Sequence, residues 1–151
     1  MITILAVGKK HEDWVNAGIE RYEKRLKKPF DVKWVLLPHS SRDGLEARRI
    51  ESDLLLSRIS ERDAVILLDE TGTILDSPSL STLLTKQFVD AKNVVVVIGG
   101  AYGVDERIHT RADMIWSMSK LVFPHQLVRL LLIEQIYRSQ EIANGSSYHH
   151  I

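Results

Sequence analysis

The apolar positions change period along the chain, and the changes mark out its elements. "ITILAVG" (2–8) is short, continuous and rich in β-branched residues, as a buried strand is. Val15, Ile19, Tyr22 and Leu26 then recur at helical spacing, and Pro29 closes that helix. "DVKWVLL" (31–37) reads as a strand, and "GLEARRIESDLLLSRIS" (44–60) as an amphipathic helix with Leu45, Ile50, Leu54 and Leu55 on or near one face. "AVILLD" (64–69) predicts a buried strand ending at Asp69, with a turn at "ETGT" (70–73). Leu80, Leu83, Leu84 and Phe88 mark the next helix, and "NVVVVIGG" (93–100) the next strand. "ERIHTRAD" predicts a short helix, "MIWSMS" (114–119) a short strand, and a last long helix runs from about His125 to about Ile142. Continuous apolar strands separated by helices predict one α/β domain over 1–151, with a mostly parallel sheet flanked by helices.

Composition narrows the class. The chain has 151 residues, enough for one sizeable core, and no cysteine, which excludes disulfides and zinc–thiolate sites. No apolar run reaches the roughly 20 residues that span a bilayer, so no membrane partner is expected. The first apolar run is short and has no basic segment before it, so a strand is expected there, not a signal peptide, and the expected location is cytoplasmic. Lys and Arg number 20 against 20 Asp and Glu, a balance unlike that of a dedicated nucleic-acid binder. The basic cluster Arg21, Lys24, Arg25, Lys27 and Lys28 suits a solvated helix end, or else a phosphate-contacting patch.

In open α/β sheets, ligands bind beyond the carboxyl ends of the strands. Three predicted strand ends carry suitable chemistry: Leu68-Asp69, Gly99-Gly100 and "SMSKLVFP" (117–124). The glycines are not a P-loop, because no Gly-Lys-Ser/Thr follows, and Gly-Gly-x-x-Gly is one position short of the dinucleotide fingerprint. They form either a tight turn or a place where a planar ligand approaches the backbone. Leu121-Val122-Phe123, closed by Pro124, makes a loop too apolar to stand in water without a partner, whether core or adenine ring. The last helix is apolar almost all round from Leu127 to Ile136, which predicts burial on every side, in a subunit interface as much as in the core. Arg129 inside that run needs a carboxylate, carbonyls or a phosphate. Glu134 and Arg138, four apart, can pair. The polar tail with Tyr148, His149 and His150 either dangles or closes over an active site.

"IGGAYG", "WSMSKLVFPHQLVRLLLIEQIYR", the terminal "YHH" and "AVGKKHEDWVNAGIERYEKRL" together resemble the large-subunit ribosomal RNA methyltransferase H family, of the SPOUT class. The resemblance covers the whole chain. It implies a C-terminal trefoil knot, a homodimer, and bound S-adenosyl-L-methionine with no metal. It also implies methylation at N3 of a pseudouridine in 23S rRNA; recognition of the assembled ribosome, rather than naked RNA, would suit the zero net charge. By position, it implies a cofactor site at Leu68, Gly100, Ser119, Lys120, Leu121, Val122, Phe123 and Pro124. His125, Arg129, Tyr148 and His149 match positions near the substrate. His150 stands where the family commonly carries a basic residue after the Tyr-His pair.

Methyl transfer needs in-line approach of the nitrogen and removal of its proton. His149 or His125 is the candidate base, Tyr148 the candidate for orienting the nucleobase, and Arg129 a candidate substrate contact. Two other readings compete: a non-catalytic ribosome- or RNA-binding factor that keeps a cofactor pocket, and a small-molecule methyltransferase on the same scaffold.

Overall fold

The computed structural model describes residues 1–90 and 92–150. Ile151, which ends the tail motif, lies outside the described residues, as does Ala91. Five strands alternate with five helices: β1 Ile2–Val7, α1 Asp13–Glu23, β2 Val32–Leu37, α2 Gly44–Leu56, β3 Ala64–Ile74, α3 Ser77–Val89, β4 Val94–Ile98, α4 Glu106–Arg111, β5 Met114–Ser117 and α5 His125–Ala143. The sheet order is β2-β1-β4-β3-β5 and every pairing is parallel.

The two-residue period of the strands explains why helices cover both faces. Ile2, Ile4, Ala6, Ile66, Val94, Val96 and Ile98 point to one side, where Leu80 and Leu84 of α3 and Leu132 and Ile136 of α5 bury them. Leu5, Val7, Val65, Leu67, Val95 and Val97 point to the other, against Leu55 of α2 and Ile108 of α4. Val15 and Ile19 of α1 close on Ile133 of α5. The near-continuous apolar strands are therefore buried on both faces, as a parallel sheet requires.

Two expectations need correction. The stretch "ETGT" does not end its strand: β3 runs on to Ile74. Trp116 pairs with both Leu68 and Thr73, so residues 69–72 are pushed out of the ladder as an irregularity within it. On α2 the buried stripe is Ala47, Glu51, Ser52 and Leu55, while Leu45 is 75% exposed. The apolar girth of α5 is shared: the sheet, α1 and α3 bury Leu132, Ile133 and Ile136, while Leu127, Val128, Leu130 and Leu131 remain half-buried.

Candidate active site

Parallel strands put their carboxyl ends along one edge, and there a chamber of about 280 Å³ opens. Leu68 and Asp69 from the end of the regular part of β3, Gly99 and Gly100 after β4, and the segment after β5 line it together. Its apolar wall includes Ile98, Trp116, Leu121, Val122 and Phe123. The displaced 69–72 segment brings Asp69 and Glu70 to the rim. Asp69 holds that segment, its Oδ1 accepting from the Thr71 backbone N–H at 2.9 Å and from the Thr71 hydroxyl at 2.6 Å.

The loop 118–124 has its own scaffold. The Ser117 hydroxyl donates to the Ser119 carbonyl at 2.8 Å, and the Ser119 hydroxyl accepts from the Leu121 N–H at 3.0 Å. Leu121 and Val122 stand at the chamber with 69% and 79% of their surface in water. Lys120 and Pro124 belong to this loop without lining the chamber, and Pro124 caps the start of α5.

A second chamber of about 300 Å³ adjoins the first, sharing Gly100, Ala101 and His125 with it. Arg129 lines it, buried to 1% exposure, and finds the carbonyl it needs: Nη1 donates to Lys9 at 2.8 Å. Gly8 leaves room for this guanidinium, because a Cβ there would sit 3.1 Å from Nη2 and the backbone φ is +131°. Desolvation lowers the Arg129 pKa. Crowding by protein and the Arg129 cation hold the His125 imidazole below its usual value, against the pull of Glu51.

Sequence reasoning missed Glu51, which also lines the second chamber at 3% exposure. The spacing Ala47–Glu51–Leu55 put a carboxylate in the buried stripe of α2, a signal present in the sequence. Gly100 is small partly on its account: a Cβ at Gly100 would lie 2.5 Å from Glu51 Oε1 and 3.1 Å from Val7 Cγ1.

Tyr148 and His149 are not brought to either chamber of their own chain. They fold back on the later turns of α5. The Tyr148 hydroxyl donates to Glu134 Oε1 at 3.0 Å, its ring meets Tyr137 edge-on at 4.9 Å, and Arg138 lies 4.8 Å over that ring. Arg138 pairs with Glu134 at 2.6 Å, as the four-residue spacing predicts, and sits 3.2 Å from His149 Nδ1. Burial, then the Glu134 carboxylate, push the Tyr148 phenol up to about 12.

Residues 1–149 match the family described as "Predicted SPOUT methyltransferase". The chain belongs to that family. Among its relatives is the "Ribosomal RNA large subunit methyltransferase H" of Marinomonas sp. (strain MWYL1), 38% identical, with 98% of each chain covered. A protein of the same name from Acetivibrio thermocellus is 36% identical, again over 98% of each chain. Another from Geobacter metallireducens is 37% identical over 99% of this chain and 98% of its own. Among the described residues, no group of three His, Asp or Glu side chains is placed to hold a metal, and no helix is long and apolar enough to cross a membrane.

Proposed function

We propose that this protein is an S-adenosylmethionine-dependent methyltransferase acting on N3 of a pseudouridine in 23S rRNA. The observation that carries the reading is the pair of chambers meeting at Gly100, Ala101 and His125. One suits a cofactor and the other a nucleobase. Membership of the SPOUT family and the name shared by relatives over nearly the whole chain support the assignment.

The first chamber fits S-adenosylmethionine on its own terms. Leu68, Leu121, Val122 and Phe123 offer apolar surface to an adenine ring, and the glycine turn brings backbone close beside it. Trp116 lines the chamber with its buried Nε1 unpartnered among the described residues. Ser119 shapes the loop, while Lys120 and Pro124 complete it. Bound there, the cofactor supplies an electrophilic methyl group on a positively charged sulfur.

The chain's work is to hold N3 in line with that methyl and to receive the N3 proton. His125 stands at the boundary between the chambers, and its lowered pKa leaves it unprotonated at neutral pH. Tyr148 stays a neutral phenol at working pH; with its one O–H given to Glu134, its oxygen is suited to accepting from an N–H of the base. Because the tail lies along the later turns of its own α5, Tyr148 and His149 serve the chambers of a second copy in a homodimer. The half-buried Leu127 and Leu131 supply apolar surface for that dimer. The reading includes the C-terminal trefoil knot and a cytoplasmic location. Equal numbers of basic and acidic residues favour an assembled ribosome over naked RNA as substrate.

The test is calorimetry with S-adenosylmethionine, then methyl incorporation into ribosomes from cells lacking the protein, with the product located by mass spectrometry. Cofactor binding with no methyl transfer would favour the binding-factor reading instead.

A further inference from the structure

The second chamber holds two charged side chains with polar atoms left over. Glu51 Oε2 accepts from the Ser40 N–H at 3.1 Å, but its Oε1 finds no partner among the described residues. Arg129 donates through Nη1 to the Lys9 carbonyl, and its Nε likewise has none. Both residues are more than nine-tenths buried, and both line the chamber. An unsatisfied carboxylate oxygen is costly to bury, so its retention points to a donor arriving from a ligand.

A carboxylate only accepts and a guanidinium only donates. Together they suit a ligand edge presenting both an N–H and a carbonyl. On the pseudouridine reading, which this inference rests on, the base offers carbonyls at C2 and C4 and N–H groups at N1 and N3. N3 must face the cofactor chamber, through the boundary formed by Gly100, Ala101 and His125. Glu51 lines the second chamber and not the first. The donor left for it is N1–H. Uridine has no such donor, because its N1 carries the ribose, whereas pseudouridine is attached through carbon.

We propose that Glu51 accepts the N1–H of the target base and is the residue that separates pseudouridine from uridine. Gly100 makes this possible by leaving room for Oε1 beside its Cα. A buried acceptor of this kind rejects the analogue lacking the donor, since that analogue leaves the carboxylate unpaired.

The experiment measures kcat/KM for methyl transfer to ribosomes carrying either pseudouridine or uridine at the acceptor position. The wild type is expected to prefer pseudouridine by at least about a hundredfold. Glu51→Gln keeps the shape and an acceptor oxygen but loses the charge, which weakens the hydrogen bond. It should lower the rate on pseudouridine by at least about tenfold and raise the rate on uridine, because no unpaired carboxylate then opposes that base. Glu51→Ala should bring the two substrates within about tenfold of each other. Cofactor affinity, measured by calorimetry, should hold in both variants. If Glu51→Gln lowers both rates by the same factor, Glu51 acts on the shared N3–H or on the fold, and the proposal is overturned. It is overturned equally if Glu51→Gln changes neither rate. A wild type that methylates neither base at N3 would overturn the parent reading, and this assignment with it.

Discussion

A side chain at position 100 meets Glu51 Oε1 at 2.5 Å and Val7 Cγ1 at 3.1 Å from its first carbon. That crowding points toward the second chamber, so the glycine's smallness shapes both chambers. Gly100 is not among the glycines held at positive φ, so its backbone tolerates a substitution. Gly100→Val should therefore fold and lose turnover by at least about tenfold, roughly 1.4 kcal/mol, with a smaller change in cofactor affinity. Wild-type turnover in the folded variant would return Gly100 to a simple turn residue. His125 carries a second prediction. Its lowered pKa means the folded state binds a proton less readily than the unfolded chain, and His11 is shifted the same way by burial and Arg129. The unfolded state then holds more protons, so stability is complete above about pH 6.5 and is lost as pH falls toward the lowered values. Turnover should show an acid limb in the same window. In His125→Asn, a limb of unchanged position and amplitude in the pH–rate profile would remove His125 as the base.

At the scale of elements, the periodicity was enough to find every strand and helix, because parallel strands and amphipathic helices write their burial into the apolar pattern. What it lost was local. "ETGT" has turn composition, and the segment does turn on the Asp69 side chain; yet β3 resumes at Thr73 against Trp116. Only the neighbouring strand makes that rejoining visible, since a Cβ on Gly72 would lie 2.6 Å from the Ile115 carbonyl carbon and oxygen. Gly72→Val must displace β5 backbone, at a cost of about 1–3 kcal/mol, read as a lower midpoint in chemical denaturation. An unchanged midpoint would mean that β5 yields freely there. The candidate site was legible in the same uneven way. Leu68, Gly100 and most of 119–124 converge because strand ends of a parallel sheet must converge. Glu51 was hidden because an acidic residue on a helix reads as solvated until its i±4 neighbours, Ala47 and Leu55, prove to be buried.

At the scale of the whole molecule, the proposed role of the tail sets how many chains make one site. Tyr148 is anchored to Glu134 and Tyr137, and His149 to Arg138, whereas the chambers are lined by His125, Val128 and Arg129 at the start of the same helix. From Val128 to Glu134 the helix rises about 9 Å. Deleting residues 147–151 should leave cofactor affinity unchanged, because that chamber is built without the tail, and should reduce turnover steeply. The deletion alone does not say which copy the tail serves. Mixed dimers do. A tail-deleted chain has sound chambers and no tail, while a Gly100→Val chain has a tail and a damaged chamber. If the tail serves the other copy, unfolding and refolding the two inactive proteins together creates one complete site in each mixed dimer. Random pairing of equal amounts then makes half the dimers mixed, so about a quarter of wild-type turnover per chain should return. If the tail serves its own chain, no pairing restores a site and the mixture stays as inactive as its components. That outcome would require the tail to leave Glu134 and reach its own chamber, and it would separate catalysis from dimerisation altogether.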